Sequence, residues 1–274
     1  MKVIKIKGYI SLLLFCYFSN TYAEQPAVQI FTENVQQGSM IVGRVLVEGD
    51  VYFNQHKLPL TETGEFVFGV GRSAPAQVEL KIKSANKSYV HSIDVKKRQW
   101  NIERIDGLPA EKVNPRSQET LARISRDSKR IAKARKVTSG QNAFLMEFIP
   151  PAEGRISGYF GSQRILNGEP KRPHYGQDIA NKVGTPITAP VDGIVTLAES
   201  DLFYSGGTII IDHGFGIHTT YLHLSKVLVE VGDEIKQGQI IGQMGATGRA
   251  TGSHLDWRLN WKNIRLDPSL LISE

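Results

Sequence analysis

The stretch GTPITAPVDGIVTLAESDLFYSGGTIIIDHGFG, residues 184–216, decides the fold class. Gly184-Thr185-Pro186, Ala189-Pro190-Val191-Asp192-Gly193, Gly206-Gly207 and Gly214-Phe215-Gly216 punctuate it with turns, and Thr208 to Ile211 is a short apolar run between two of them. Turns this frequent leave no room for the long crossover that parallel strands require. From about Phe144 onward the chain is therefore expected to form a compact antiparallel β domain, with any site built in the loops between its strands.

Toward the N-terminus the pattern stays β and then changes once. Between residues 27 and 97, turn residues separate the short runs Val28 to Phe31, Met40 to Val47, Glu65 to Val70, Val78 to Ile82 and Ser88 to Val95, which predicts a small β-sandwich. Thr63-Gly64, placed between Leu58-Pro59-Leu60 and Glu65-Phe66-Val67-Phe68, suggests a hairpin. From Arg98 the turns thin out. Asn114-Pro115 reads as a helix start, and Leu121, Ile124 and Ile131 recur at near-helical spacing among Arg and Lys, predicting a basic connecting helix over 115–136 with a thin apolar stripe.

The expected protein is thus mainly β, a C-terminal antiparallel β-sheet domain preceded by a small β-sandwich-like domain and a helical linker. The boundaries are a signal peptide over 1–23, an N-terminal domain over 24–97, a basic linker over 98–142 and the main domain over 143–270. The signal rests on basic Lys2, Lys5 and Lys7, the apolar stretch Ile10 to Phe18, and Thr21-Tyr22-Ala23 as the cleavage site. The apolar run is too short to span a bilayer, so no membrane insertion is expected after cleavage. Cys16, the single cysteine, lies within the signal behind bulky Phe15, which argues against lipidation. Without it the mature chain has no disulfide, thiol nucleophile or cysteine-bound metal, and histidines and carboxylates must carry any chemistry. An exported location, periplasm or cell envelope, follows.

The net charge of +6 falls to +3 once the three signal lysines are removed, leaving 30 basic against 27 acidic side chains. Basicity concentrates between Lys96 and Lys136, where thirteen Lys and Arg meet five Asp and Glu. A solvated helix face accounts for it. Trp100 is the single aromatic side chain among these charges, too few for a stacking surface, so a nucleic-acid partner is not expected.

Five of the seven histidines fall between residues 174 and 254, two of them beside carboxylates: His174-Tyr175-Gly176-Gln177-Asp178 and His254-Leu255-Asp256. His56 and His91 have no such neighbours and read as surface residues. Imidazole and carboxylate together suit a divalent ion such as zinc. If His254 to Leu259 is a strand, His254, Asp256 and Arg258 share one face. Pairing with Arg258 is then the alternative use of the Asp256 carboxylate.

An ordered series of motifs goes further. Gly158-Tyr159-Phe160-Gly161, Arg172-Pro173-His174-Tyr175-Gly176-Gln177-Asp178-Ile179-Ala180, Gly184-Thr185-Pro186-Ile187, Asp192-Gly193-Ile194-Val195, Ile211-Asp212-His213-Gly214, Tyr221-Leu222-His223-Leu224-Ser225, Val231-Gly232-Asp233, Gly238-Gln239-Ile240-Ile241-Gly242 and Gly245 to Leu255 resemble the lysostaphin/LytM-type zinc endopeptidases of bacterial peptidoglycan. The series covers nearly all of residues 150 to 260. The resemblance implies His174 and Asp178 as metal ligands, His223 and His254 as the pair that handles the proton and the developing oxyanion, and a structural role for His213. Asp256 stands where the family carries a histidine as third metal ligand, and Arg258 where it usually has an acidic residue. Aspartate can still bind zinc, but one histidine and two carboxylates make a formally neutral centre and favour harder ions such as manganese. Two functions remain: a zinc endopeptidase cutting cross-links or stem peptides of peptidoglycan, or a catalytically impaired relative that binds and activates other cell-wall hydrolases.

Overall fold

The computed structural model describes residues 26–85 and 87–272; the signal reading falls outside these residues. No helix among the described residues is long and apolar enough to cross a membrane.

The N-terminal part consists of two antiparallel sheets. One runs in the order Val28–Ile30, Met40–Val45, Glu65–Gly69; the other in the order His56–Lys57, Asp50–Phe53, Gln77–Lys83, Ser88–Asp94. Strict alternation sets the inner face of Gln77–Lys83: Val78, Leu80 and Ile82 are buried, while Glu79 and Lys81 face water. The strand Asp50–Phe53 and its short partner were not anticipated. Their turn is Asn54-Gln55, both residues in the left-handed region (φ 46° and 68°), and it lacks the glycine that usually marks a two-residue hairpin. The turn expected at Thr63-Gly64 exists, with Gly64 at φ 87°, but Leu58-Pro59-Leu60 before it forms no strand.

The segment 98–142 is more than a helical linker. Ile102–Ile105 is a strand that pairs in parallel with Gln163–Leu166, joining the linker to the C-terminal part and departing locally from the all-antiparallel expectation. The helix spans Gln118–Ala134, beginning later than Pro115 because the Ser117 hydroxyl caps it by accepting from Thr120 N–H at 3.1 Å. Its stripe is indeed thin: Leu121 is 48% exposed and Ala134 alone is buried. Ion pairs fasten it instead, Arg123 to Asp201 at 2.7 Å and Arg130 to Glu199, and the Asp127 carboxylate accepts from Phe203 N–H.

The C-terminal part is built on a sheet ordered Glu234–Ile235, Gly193–Leu202, Gly206–Asp212, Ile217–Leu224, His254–Trp261, Gln177–Ala180, Arg155–Gly158, with Ile264–Leu266 added beside His254–Trp261. Its neighbours are all antiparallel. One face packs Ile209, Ile211, Tyr221, Leu255 and Trp257 into a core. The other face carries the even-numbered residues of His254–Trp261 and becomes the floor of a cleft.

The N-terminal sheets do not close a core of their own. The apolar cluster of the N-terminal sheets runs without a break into Ile217, Leu259, Trp261 and Leu266. Phe68 and Trp261 meet edge to face at 6.4 Å, and a Cβ on Gly69 would lie 2.6 Å from Leu266. A buried ion pair, Arg98 to Asp267 at 2.7 Å, crosses the same junction.

Candidate active site

Register brings the acidic pair together. Gln177–Ala180 lies antiparallel to His254–Trp261 with Asp178 directly opposite Asp256 and Ala180 opposite His254. Because Leu255 and Trp257 fill the core, Asp256 must point to the cleft, and Asp178 does likewise because Ile179 points inward. His174 precedes the strand in a loop held by two backbone bonds, His174 N–H to Ser162 O and Gly161 N–H to His174 O, both 2.8 Å.

Two glycines let these groups approach. A Cβ on Gly158 would sit 2.3 Å from Asp178 Oδ2, and one on Gly176 would sit 2.2 Å from Asp256 Oδ1. Neither position has room for any other residue.

The ligand-type atoms converge. His174 Nε2 lies 3.0 Å from Asp178 Oδ1 and 3.5 Å from Asp256 Oδ2, and one atom from each residue falls within 4.8 Å of the others. Yet His174 Nε2 and Asp178 Oδ1 are buried without a hydrogen bond, so they face a common point and not each other. A tetrahedral ion with bonds of about 2.1 Å would space its ligands about 3.4 Å apart. The three side chains fit a divalent ion on distance and chemistry, and His174 and Asp178 also through their unpartnered atoms.

The electrostatics point the same way. Burial works against a charge on His174, but Asp256 and Asp178 outweigh it and raise its pKa above the usual histidine value. The position favours positive charge. Asp256 is buried too, and Arg258 and His174 hold its carboxyl well below the usual range. Both carboxylates have an arginine behind them. Asp178 Oδ2 accepts from Arg164 at 2.8 Å, leaving Oδ1 toward His174; Asp256 accepts from Arg258 through Oδ1 at 2.9 Å and Oδ2 at 2.6 Å.

His223 and His254 come from neighbouring strands and stand side by side, ring centroids 4.7 Å apart. His223 ends the run of regular strand residues at φ 66°, a left-handed conformation that turns its ring out of the core face. Its Nδ1 lies 2.8 Å from Thr247 O, which fixes that nitrogen as the donor and leaves Nε2 free to accept a proton. Thr247 is itself pinned by Gly207 N–H and Leu224 O, each at 2.9 Å. Burial pushes the His223 pKa down to about 4, so the ring is neutral near pH 7. His254 Nδ1 lies 2.9 Å from Gly252 O, and its Nε2 lies 4.0 Å from Asp178 Oδ1.

The other histidines sit elsewhere. His213 is fully buried between Asp192 O at 2.6 Å and Thr219 Oγ1 at 2.7 Å, and His218 is buried beside Val137 O. His56 is exposed and His91 half-buried. Sequence reasoning missed Arg164, the Thr247 carbonyl and the two cradling glycines. Arg164 lies between motif pieces, and a carbonyl partner leaves no mark on residue identity.

Known proteins resemble the chain in this part. Residues 172–268 match peptidase family M23. The peptidoglycan DD-endopeptidase ShyA of Vibrio cholerae is 38% identical over 154 residues, which cover 56% of this chain and 35% of ShyA. ShyC of the same organism, also a peptidoglycan DD-endopeptidase, is 40% identical over 116 residues, 42% of this chain and 26% of ShyC. A solved candidate M23 peptidase of Pseudomonas aeruginosa superposes with a TM-score of 0.67 at 28% identity, covering 88% of this chain and 96% of that one. The chain spans about a third or less of the length of these two Vibrio relatives. Through residues 172–268 the chain belongs to peptidase family M23.

Proposed function

We propose that this protein is a metalloendopeptidase that hydrolyses peptide cross-links or stem peptides of bacterial peptidoglycan. The observation that carries the reading is the convergence of His174 Nε2, Asp178 Oδ1 and Asp256 Oδ2 on one point, with the first two atoms otherwise unsatisfied. The relatives named as peptidoglycan DD-endopeptidases supply the substrate class.

His174, Asp178 and Asp256 would hold one divalent ion, zinc in the first instance. Such an ion polarises a scissile carbonyl and lowers the pKa of bound water. The chain's own groups do the rest. Arg164 and Arg258 orient the two carboxylates and offset their negative charge, so that they present oxygens toward His174. Neutral His223 accepts a proton at Nε2 while its Nδ1–H stays on Thr247 O. His254, its ring beside that of His223, is assigned to the developing oxyanion.

Export is part of the same proposal: residues 1–23 direct the chain to the periplasm or cell envelope and are removed after Ala23, which N-terminal sequencing of the exported protein checks. The unit over 24–97 and the linker over 98–142 position the domain over 143–270 and shape access to its cleft.

A second reading has one observation in its favour, the two-bond hold of Arg258 on Asp256. Under it the protein is an impaired relative that binds and activates other cell-wall hydrolases. Purified residues 24–274 decide between the two through metal content and release of muropeptides from cross-linked peptidoglycan, with His223→Ala and Asp256→His alongside. The endopeptidase reading expects about one ion per chain, digestion by the wild type, and loss of digestion in His223→Ala with the ion retained. A wild type that neither binds metal nor cuts, beside an Asp256→His variant that does both, would establish the impaired relative.

A further inference from the structure

The cleft face of His254–Trp261 continues beyond Asp256 to Arg258 and Asn260. Thr220 lies opposite Arg258 in the neighbouring strand, and Arg265 lies opposite Asn260. Arg135, which ends the linker helix, reaches down onto this face: its Nη2 is 3.4 Å from Thr220 Oγ1, and its Nε is buried with no hydrogen-bond partner. Arg135, Thr220, Arg258 and Arg265 border a cavity of about 800 Å3 that is also lined by His174, His223 and Asp256.

Charge in this cavity is unbalanced. Among the described residues it is lined by seven Arg and Lys side chains and by one carboxylate, Asp256. That carboxylate is already engaged by Arg258. Arg164 and Lys171 find their counter-charges in Asp178 and Glu169. Arg135 and Arg265 do not; the bonds described for them go to a hydroxyl, Thr220, and to an amide, Asn260 Oδ1 at 2.9 Å. Burial, followed by repulsion from Arg265 and Arg258, lowers the Arg135 pKa well below its ordinary value. Burial and repulsion from Arg258 bring Arg265 down to about 10. A guanidinium keeps its proton in a folded protein, so each holds a positive charge in a partly dry place without an opposing ion among the described residues.

A guanidinium fork is the side chain best shaped to take a carboxylate through two parallel bonds. Arg135 and Arg265, and a third fork shared with Asp256, face one cavity beside the candidate metal centre; Arg172 and Arg249 also line it without a described carboxylate partner, Arg249 donating to Lys112 O at 3.1 Å. We propose that Arg135, Arg258 and Arg265 form a carboxylate-binding site for a free carboxylate of the peptide whose bond lies at His174, Asp178 and Asp256. The inference rests on the peptidase reading for the identity of the ligand. It also makes the linker helix part of the substrate site, since Arg135 comes from it.

The test compares acetyl-D-alanyl-D-alanine with its C-terminal amide by calorimetric titration of the full chain, as purified and again after chelation. The acid is expected to bind at least about tenfold more tightly than the amide in both preparations. Arg135→Met and Arg265→Met should each cut that preference below about threefold, with melting curves confirming that they fold. Should Arg135→Met fail to fold, Arg265→Met and Arg265→Lys carry the test, the lysine retaining the charge and losing the fork. Equal binding of acid and amide, no binding of either, or a preference retained in the folded variants overturns the site. So does a preference that vanishes on chelation, because the metal would then be the carboxylate's partner. Hydrolysis plays no part in the chelated measurement, so a protein that fails to digest peptidoglycan would sink the peptidase reading and leave this result standing.

Discussion

Gly176→Ala is the smallest change that should disable the candidate metal centre. A Cβ at residue 176 would lie 2.2 Å from Asp256 Oδ1, 2.8 Å from Arg258 Cγ and 2.8 Å from Trp257 O. The shortest contact is more than about 1 Å inside ordinary van der Waals separation. None of the three neighbours can yield easily. Trp257 O belongs to the backbone of a central strand, Trp257 itself is fully buried, and the Asp256 carboxylate is held by two bonds to Arg258. Gly176 does not adopt a left-handed φ, so alanine is tolerated by the backbone and the perturbation is purely one of space. Either the carboxylate swings away or the loop lifts and takes His174 with it. Both outcomes separate the converging atoms. Overpacking of this kind costs about 1–3 kcal/mol of stability, and displacing the support of a metal ligand costs about 10–100-fold in metal affinity. Competition against a graded series of chelators, with thermal melting of the same samples, reads both quantities. Gly140→Ala serves as control, because nothing lies within 4 Å of a Cβ there. Metal affinity within about threefold of wild type in a folded Gly176→Ala protein would refute the convergence as a metal site.

Three further outcomes follow from buried groups elsewhere. His213 has its pKa pushed down to about 4 by burial, so the unfolded chain takes up a proton near pH 6.5 that the folded chain refuses until about pH 4. Stability should therefore fall as pH drops through that window, by up to about 3 kcal/mol, and urea melts of wild type and His213→Asn at pH 7 and pH 4.5 should show a smaller pH difference in the variant. Arg258→Met leaves the Asp256 carboxylate buried without its cation and should cost about 3–5 kcal/mol in chelated protein; saturating zinc should recover much of that, and an equal loss in both conditions would speak against Asp256 as a ligand. Trp261→Ala removes a ring that both parts of the chain share, so a loss of about 3–5 kcal/mol should appear as one thermal transition at lower temperature, whereas two independent transitions would contradict a common core.

That common core marks the boundary of what the residues alone disclose. Strands such as Gln77–Lys83 are legible because one face is dry and the other wet, and the period of two is written into residue type. The pairing of His254 with Asp256 on one face is legible for a related reason: once Leu255 is apolar, its neighbours at 254 and 256 must share the opposite face. Contacts between segments distant in sequence leave no such period. The pairing of Ile102–Ile105 with Gln163–Leu166 spans about sixty residues, and nothing in either run distinguishes its partner from any other strand. Trp261 and Leu266 likewise read as interior residues of the C-terminal part, yet their cluster includes Phe53 and Phe68. Removing residues 24 to 140 would uncover this apolar surface and leave Gln163–Leu166 without its parallel neighbour. The isolated domain over 143–270 should then aggregate or melt early, and altered turnover in such a fragment would measure lost stability before it measured any restraint on the cleft. Activity of the two-part protein with Trp261→Phe, which keeps the junction filled, separates the effects: restraint by the N-terminal part leaves turnover unchanged, while dependence on the packed junction lowers turnover in step with the melting temperature.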